Sequence, residues 1–437
     1  MIDYPGPKAR SIIERMRAVE GAGPRTSAGD PLVVDHATGA TLVDPDGNAF
    51  TDLAGSFAAA TIGHSHPDVV AAVEAQIGRA SHVSSAAVSE QRVGFEEDLR
   101  SIAPPGLDRV LLGISGADAN DTALKLARSH TGRREVLAFS GGYFGRAGGV
   151  VGLNGKSAFR TSVGRDPDAH FLPFPDPYRW PAELGGPENT GPAALELVRS
   201  ALEDPASGVG PLAAIVVEPV QGNGGVVVPP DGFLQGLRDL ADAHAIPLIF
   251  DEIQCGFGRT GMLWAAEHWG VAPDLMTVGK GIGGGLALSA VVGRHELMSH
   301  WSPGTHTSTF LGNAVNLAAG RAAIGVMCRD RLWERSATLG TELRDRLDRA
   351  VGEHRHVGAV RGLGLFIGIE LVRDRESRAP DPDRCAAVRR RAFANAVIVA
   401  GAGRFENVVK ISPPLTIEHD LATAAVDVVI DAIGATA

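Results

Sequence analysis

The stretch FDEIQCGFGRTGMLWAAEHWGVAPDLMTVGKGIGGG spans residues 250–285 and contains two strand-like apolar segments, each of which ends at a charged residue. The run PLIF leads into Asp251, and the run LMTVG leads into Lys280, which is followed by glycines. Short, continuous apolar runs are typical of strands that are buried on both faces of a parallel sheet. The stretch therefore predicts two such strands, one ending at a carboxylate and the other at a lysine.

The same alternation of apolar runs and helical segments extends over residues 85–329. Six runs predict strands: RVLLGI, EVLAF, AAIVVEPV, PLIFDEI, LMTVG and LSAVVG. Helical spacing appears between them, for example at 117–129 and 233–244. This alternation predicts an α/β domain with a mainly parallel sheet, in which ligands bind beyond the carboxyl ends of the strands. Residues 154–192 are rich in Pro, Gly and Asp, and we expect a long excursion there with few buried contacts.

The two ends of the chain predict a smaller α+β domain. Near the N-terminus, alternating residues flank the turn signal Asp46-Gly47, as in a hairpin, and a helical pattern begins behind Pro67. Near the C-terminus, a long helical pattern precedes the run GLGLFIGIELV, and a last helix follows Ile417. These patterns divide the chain into an N-terminal segment that contributes to the small domain (1–84), a large domain (85–329) and a C-terminal small domain (330–437).

Length and composition exclude several classes of protein. The 437 residues exceed what one hydrophobic core usually holds, and the formal net charge is −10 without long blocks of one sign. Nucleic-acid and anionic-membrane surfaces need clustered Lys and Arg, so neither partner is expected. The 3 Cys residues are far apart, which predicts no disulfide framework. The sequence has no signal-peptide pattern and no long apolar span, so we expect a cytoplasmic protein.

Asp251 and Lys280 together match the chemistry of one cofactor, pyridoxal phosphate. A carboxylate can keep the pyridine nitrogen protonated, which makes the ring an electron sink, and a lysine can form an imine with the aldehyde. Either residue alone is more often structural. Because both follow predicted strands and glycines flank the lysine, the pair favours a cofactor site.

Three further features are weaker when taken alone. Small residues at Ser115-Gly116-Ala117, between a strand and a helix, could bind a phosphate, although a turn with an N-cap is commoner. Tyr143 follows another strand and could stack on a flat cofactor or belong to the core. Glu218 ends a strand and could support a ligand or cap a loop.

Three competing motifs are disfavoured. Residues 279–284 match GxGxxG by letter, but they lie deep in the chain and contain a lysine, which argues against a dinucleotide site. The lysine is followed by Gly instead of Ser or Thr, so the segment is not a Walker loop. His64 and His66 lack the other ligands of a metal site, and we predict no metal.

A set of longer motifs resembles one enzyme family. They are GHSHPDVV, SGADANDTALKLAR, TGRREVLAF, VVEPVQG, FDEIQCGFGRTG, PDLMTVGKGIGGG, THTSTFLGN and SPPL. Along nearly its whole length the sequence is similar to the class III (subgroup II) aminotransferases, which are pyridoxal-phosphate enzymes of fold type I. The resemblance implies a large domain with a mainly parallel seven-stranded sheet and a small α+β domain.

The resemblance also implies roles for individual residues. Lys280 is then the imine lysine and the base that moves a proton between the substrate carbon and the cofactor, and Asp251 is the partner of the pyridine nitrogen. The other implied cofactor contacts are a donor to the phenolic oxygen (Gln254), the phosphate cradle (Ser115, Gly116 and Ala117), the stacking ring (Tyr143) and the supporting carboxylate (Glu218). Thr309 matches a threonine that reaches the phosphate of the neighbouring subunit, which implies a homodimer with shared active sites.

The substrate side departs from the family pattern. Asn223 stands where the family usually has Glu, and Lys410 stands where it usually has an Arg that grips the α-carboxylate of glutamate. An ammonium cannot reproduce the paired hydrogen bonds of a guanidinium, so the use of glutamate is an open question. Lysine at this position also occurs in diaminobutyrate aminotransferases, which keeps glutamate possible. Phe144 replaces the usual His, and Phe57 is a further candidate to line the substrate pocket.

A second resemblance supports an alternative function. DHATGATLVDPDGN, PFPDPYR and LSAVVGRHELM are similar to segments of the branch that contains isoleucine 2-epimerase and related amino-acid racemases. The leading hypothesis is transfer of an amino group from a small amine or amino acid to a carbonyl acceptor, and the alternative is racemisation or epimerisation. A non-catalytic cofactor-binding domain is a third reading, disfavoured because Asp251 and Lys280 are both present.

Overall fold

The computed structural model of the protein describes residues 2–21 and 30–436. Its strands are β1 (His36–Thr38), β2 (Thr41–Val43), β3 (Ala49–Asp52), β4 (Arg109–Gly113), β5 (Glu135–Phe139), β6 (Ala169–Leu172), β7 (Leu212–Val217), β8 (Leu248–Asp251), β9 (Leu275–Val278), β10 (Ser289–Gly293), β11 (Val357–Leu363), β12 (Phe366–Leu371), β13 (Val397–Ile398), β14 (Ala400–Ala402) and β15 (Val408–Ile411).

The helices surround three sheets. They are α1 (Pro7–Val19), α2 (Gly55–Ala58), α3 (Pro67–Ile77), α4 (Glu90–Ser101), α5 (Gly116–Thr131), α6 (Thr190–Glu203), α7 (Phe233–Ala243), α8 (His295–Met298), α9 (Ala314–Arg329), α10 (Leu332–Val351), α11 (Pro382–Ala394) and α12 (His419–Gly434). The helices predicted at 117–129 and 233–244 correspond to α5 and α7.

The central sheet has seven strands in the order β4-β10-β9-β8-β7-β5-β6. Only β10 runs antiparallel to its neighbours β4 and β9, and the other pairs described are parallel. All six strands predicted from apolar runs belong to this sheet, and the expected mainly parallel α/β fold is confirmed. Since parallel strands end at the same edge, the segments after β4, β5, β7, β8 and β9 meet there.

Alternation along these strands fills both faces of the central sheet. Ile215 and Val217 of β7 pack in one cluster with side chains of α6 and α7, whereas Ala214 and Val216 pack in another with side chains of α5. Every residue of β7 is buried. Burial on both faces explains why these strands appear in the sequence as continuous apolar runs.

The expectation of few buried contacts at 154–192 is wrong. This segment contains β6, which pairs with β5 as the edge strand of the central sheet. Phe174 and Trp180 are buried in the core cluster on the α6 and α7 face, with exposures of 0% and 5%. The strand has only four residues, and its apolar side chains are scattered among Pro, Gly and Asp, so composition concealed it.

The ends of the chain form two smaller sheets. The predicted hairpin at Asp46-Gly47 is present as β2 and β3, and β3 also pairs in parallel with β13 from the C-terminal part. The other sheet has the order β11-β12-β15-β14. The run GLGLFIGIELV covers the end of β11, the turn that follows it and β12. The domain limits at 84/85 and 329/330 stay predictions.

Candidate active site

A cavity of about 440 Å³ lies at the carboxyl ends of the central strands. Its lining consists of Phe57, Gly116, Ala117, Asn120, Tyr143, Phe144, Gly145, Arg146, Phe159, Glu218, Asn223, Asp251, Ile253, Gln254 and Lys280. Most of the site residues predicted from the sequence therefore meet in one place. The exceptions are Ser115, Thr309 and Lys410, which are not among the lining residues.

Asp251 is the last residue of β8 and is 3% exposed. One carboxylate oxygen accepts from the backbone N–H of Ile253 at 2.9 Å, and the other accepts from the side-chain amide of Asn120 at 2.7 Å. Burial raises the pKa of Asp251, while these hydrogen bonds and the nearby Lys280 oppose that shift. The fold thus holds a buried carboxylate that a cationic group in the cavity would stabilise.

Lys280 follows β9 and has a backbone φ of 48°, which is unusual for a residue other than glycine. Burial lowers the pKa of Lys280, and the carboxylates Asp251 and Glu218 oppose that shift. In the part of the chain that the structure describes, the Lys280 ammonium has no hydrogen-bond partner. The next residue must be small, because a Cβ on Gly281 would lie 2.4 Å from Oγ1 of Thr61.

Glu218 connects two loops at the edge of the sheet. Its two oxygens accept from the backbone N–H groups of Tyr143 and Gly222, each at 2.9 Å. Burial raises the pKa of Glu218 to about 8, and the Asp251 carboxylate adds to this increase. Glu218 therefore fixes the loops after β5 and β7 relative to one another.

The N-terminus of α5 faces the cavity. Gly116 and Ala117 line it, and their exposed first-turn N–H groups with the positive end of the helix form a favourable place for an anion. Ser115 is the N-cap, and its hydroxyl accepts from the backbone N–H of Asp118 at 3.2 Å. The turn and N-cap considered for this segment are thus present beside the proposed phosphate cradle.

Tyr143 and Gln254 both line the cavity. The Tyr143 ring meets the Phe159 ring edge to face at 5.3 Å, and burial raises the pKa of its hydroxyl. Gln254 lies so close to Gly222 that a Cβ there would be 1.9 Å from Oε1 of Gln254. A larger residue at position 222 would displace the end of the Gln254 side chain from this position.

Phe57 reaches the cavity from α2, a turn with left-handed backbone. Gly55, Ser56, Phe57 and Ala58 all have positive φ values. Asp52 stabilises this turn, because its carboxylate accepts from the backbone N–H groups of Gly55 and Ser56 at 2.9 and 3.1 Å. The Phe57 side chain remains 61% exposed.

The sequence reasoning missed Arg146 and Phe159, which both line the cavity. The guanidinium carbon of Arg146 lies 4.2 Å from the centre of the Phe159 ring, and Arg146 also contacts the Tyr143 hydroxyl. No carboxylate in the described residues forms an ion pair with Arg146. Its position three residues after Tyr143 in FSGGYFGR was the available signal, whereas Phe159 lies in a turn that no motif marks.

Lys410 is 1% exposed on β15, and its side-chain ammonium has no hydrogen-bond or ion-pair partner among residues 2–21 and 30–436. Burial lowers the pKa of Lys410 to about 7, and the Lys280 cation acts in the same direction. Asn223 does line the cavity, and its backbone carbonyl accepts from Gly403 at 3.0 Å. Of the two residues that depart from the family pattern, Asn223 lies at the cavity and Lys410 is buried outside its lining.

Thr309 is exposed and does not line the cavity of its own chain. The next residue, Phe310, is 57% exposed and packs against His82 with ring centres 5.3 Å apart. The exposed Thr309 side chain is therefore available to contact another molecule.

Comparison with known proteins adds to this geometry. The family model for aminotransferase class-III matches residues 23–433. The chain belongs to the class-III aminotransferases. These enzymes depend on pyridoxal phosphate, and this aminotransferase has the fold type I architecture that the sequence predicted.

Relatives of this aminotransferase have more than one activity in their names. It is 35% identical to the diaminobutyrate–2-oxoglutarate aminotransferase of Rhizobium meliloti (strain 1021), over 93% of this chain and 87% of the relative. It is 36% identical to the leucine/methionine racemase of Thermococcus litoralis, over 96% and 94%. A solved amine transaminase from an uncultivated Pseudomonas species, described as PLP-bound, matches with a TM-score of 0.86 and 29% identity over 95% and 97% of the two chains.

The residues of the cavity fit pyridoxal phosphate. A helix N-terminus suits the phosphate, and the buried Asp251 carboxylate lacks an ion-pair partner among the described residues, which suits a protonated pyridine nitrogen. Within the same residues, no group of three or more His, Cys, Asp or Glu side chains is arranged to hold a metal ion. None of the helices there has the length and apolar character needed to cross a bilayer.

Proposed function

We propose that this aminotransferase takes the amino group from a donor that also carries a carboxylate, with Lys280 and Asp251 acting on the cofactor and Arg146 binding the carboxylate. The observation that supports this most directly is that all three side chains line one cavity. The residues that act on the cofactor thus stand at the ends of β8 and β9, and the residue that selects the donor lies in the loop after β5.

Six of the residues would hold the cofactor. The backbone N–H groups of Gly116 and Ala117 bind its phosphate, with Ser115 capping the helix. Asp251 holds the proton on the pyridine nitrogen, Gln254 donates to the phenolic oxygen, and Tyr143 lies against the ring. When bound, pyridoxal phosphate supplies a reactive aldehyde and a ring that withdraws electrons from the substrate carbon.

Lys280 anchors the aldehyde end and, once an amine substrate has displaced it, moves a proton at the substrate's amine-bearing carbon. This role requires a lysine whose neutral form is accessible near neutral pH. Burial lowers the pKa of Lys280 in the required direction. Glu218 supports the step by fixing the loops on both sides of the ring.

Arg146 is suited to select a donor with a carboxylate. Its guanidinium is oriented by the Phe159 ring at 4.2 Å and has no competing carboxylate among the described residues. A guanidinium can bind a carboxylate through two parallel hydrogen bonds. ω-Amino acids such as 4-aminobutyrate, or diamino acids such as the diaminobutyrate in the name of one relative, have this chemistry.

We also propose a homodimer with shared active sites, in which the partner subunit's Thr309 contacts the phosphate. The exposure of Thr309 and its absence from the lining of its own cavity support this arrangement. Two inactive variants, Lys280→Ala and Thr309→Ala, should regain activity when their subunits are mixed, because one site of each hybrid dimer then has both residues. A hybrid dimer without activity, or a monomer in solution, would contradict the proposal.

The donor is tested by incubating the holoenzyme with isotope-labelled amines and with pyruvate or 2-oxoglutarate as acceptors. We expect the label to appear in alanine or glutamate from 4-aminobutyrate and diaminobutyrate, and much less from butylamine, which lacks the carboxylate. Equal transfer from butylamine would remove the assigned role of Arg146. Deuterium incorporation at Cα of leucine or methionine in heavy water, with inversion and no keto product, would favour the racemase alternative.

A further inference from the structure

A chain of buried hydrogen bonds extends behind Asp251. The Thr277 hydroxyl of β9 donates to Oδ1 of Asn120 at 2.7 Å, and Nδ2 of Asn120 donates to Asp251 at 2.7 Å. The same Nδ2 donates to the backbone carbonyl of Phe144 at 3.0 Å. Asn120 is 3% exposed and Thr277 is fully buried, so water does not compete for these groups.

The surroundings leave the Asn120 amide one orientation. The Phe144 carbonyl can only accept, so the amide nitrogen must face it, and the amide oxygen is then placed to accept from Thr277. In this orientation Asn120 offers Asp251 an N–H donor and no acceptor. An N–H donor stabilises a carboxylate and does nothing for the proton of a carboxylic acid.

We propose that Asn120, oriented by Thr277, is the positioning residue that keeps Asp251 ionised and directs its carboxylate to the cofactor's pyridine nitrogen. The inference rests on the proposed function, because it takes the role of Asp251 from there. Among the described residues, Asn120 is the only one whose side chain donates a hydrogen bond to the Asp251 carboxylate; the Cys255 thiol donates to the Asp251 backbone carbonyl instead. Phe144, which stands where the family usually has His, has no side-chain donor to add.

The other charged and titratable groups around Asp251 act in both directions. Lys280, which follows β9, favours the ionised form, whereas Glu218 at the end of β7 is a second carboxylate that disfavours it. Tyr143 and Cys255 also face Asp251, but burial raises the pKa of both, which keeps them neutral. Because Glu218 and Lys280 act in opposite directions, the direct hydrogen bond from Asn120 carries a large share of the stabilisation of the ionised form.

The test measures the protonation of the cofactor ring in the holoenzyme. Pyridoxal phosphate labelled with nitrogen-15 at the ring is bound to wild type and variants, and the nitrogen chemical shift is followed with pH. We expect the Asn120→Ala ring to lose its proton at a lower pH than wild type, with cofactor affinity weakened about tenfold or more. Thr277→Val, which keeps the shape of the side chain, should shift the titration less in the same direction, and Thr277→Ser should restore it.

Thr122→Val is the matched control. Thr122 lies on the same helix as Asn120 and is equally buried, but its hydroxyl contacts His306 at 3.2 Å, away from Asp251. If Thr277→Val and Thr122→Val leave the ring titration equally unchanged, the positioning role is wrong. If the wild-type enzyme transfers no amino group, the proposed function is wrong. The nitrogen chemical shift is measured without turnover, so it tests the positioning role separately.

Discussion

Two pairs of ionisable side chains differ in how far the fold satisfies them; three of the four line the cavity, and Lys410 lies buried outside that lining. All four carboxylate oxygens of Asp251 and Glu218 accept hydrogen bonds at 2.7 to 2.9 Å. The cations of Arg146 and Lys410 have no carboxylate partner among the described residues. A group that always meets the same ligand can be fixed by the fold, whereas a group that binds changing substrates must keep its charge available. We call these the carboxylate pair and the cation pair.

Substrate specificity can change more easily at the cation pair than at the carboxylate pair. The carboxylate pair is connected by hydrogen bonds to one helix and three loops, so a substitution there disturbs several elements at once. Arg146 is oriented mainly by aromatic contacts, and Lys410 by packing in a strand. Both cations can therefore be replaced with smaller effects on the rest of the site, which is consistent with relatives that are named for different substrates.

The largest effect is expected for Lys280→Ala, which removes a cation that acts on both members of the carboxylate pair. Amino transfer should fall at least about a thousandfold, because the anchoring and proton-moving amine is lost. The rate of label transfer from 4-aminobutyrate measures this loss. Lys125→Ala is the control, since Lys125 is a surface lysine of α5 that pairs with Asp121. Turnover retained in Lys280→Ala would end the proposed mechanism.

The next effect concerns Lys410 and the stability of the cofactor-free protein. The Lys410 pKa is about 7 in the fold and 10.5 in the unfolded chain, so the unfolded state binds more protons between these values. The free energy of unfolding of the wild type therefore rises as pH increases from about 7 to 10.5, because the buried ammonium loses its proton. Below pH 7 Lys410 is charged in the fold, and the full cost of burying that charge destabilises the protein.

Lys410→Met should accordingly stabilise the protein by up to several kcal/mol below pH 7. Above pH 10.5 the difference should disappear. Urea unfolding at a series of pH values measures it, with Lys125→Met as the exposed control. If the free energies of unfolding of Lys410→Met and the wild type differ by the same amount at all pH values, Lys410 has a counter-charge in solution. Lys410 would then be as well satisfied as the carboxylate pair, contrary to the comparison above.

Arg146→Met should raise the KM for 4-aminobutyrate by about ten- to a hundredfold, as expected for one lost charge-assisted contact. The ratio of kcat/KM for 4-aminobutyrate to that for butylamine is the measurement, because a general loss of folding would not change it. Arg146→Lys should recover part of the ratio through charge alone. An unchanged ratio in Arg146→Met would place the carboxylate elsewhere.

The smallest effect is expected for Phe159→Leu, which removes the ring beneath Arg146 but keeps an apolar side chain. A cation–π contact of about 0.5 to 2 kcal/mol corresponds to a change of several-fold in the same ratio. Phe171→Leu is the matched control, because the Phe171 ring lies 5.3 Å from the guanidinium of Arg160 and outside the cavity. If Phe159→Leu and Phe171→Leu change the ratio of kcat/KM values equally, Phe159 has no specific role in substrate binding.

Much of the fold could be predicted because its signals are local. Continuous apolar runs mark β7, β8 and β9, and the charged residues that follow them, Glu218 and Lys280 among them, stand out in the sequence as candidates for the site. The strand β6 was missed because four residues among Pro and Gly have too little periodicity to be recognised. Its place in the sheet depends on pairing with β5, which ends at Phe139, well before β6 begins at Ala169.

The amino-acid sequence by itself determined the family, the cofactor and the identity of the residues at the strand ends, because parallel strands bring their carboxyl ends together wherever the loops lead. Only the tertiary structure decided which polar groups have partners. Asn120, Thr277 and Asp251 come from three separate elements, and Arg146 meets Phe159 across a turn with no motif. Hydrogen bonds and ring contacts of this kind depend on distances of a few ångströms between segments far apart in the chain, and no local pattern encodes those distances.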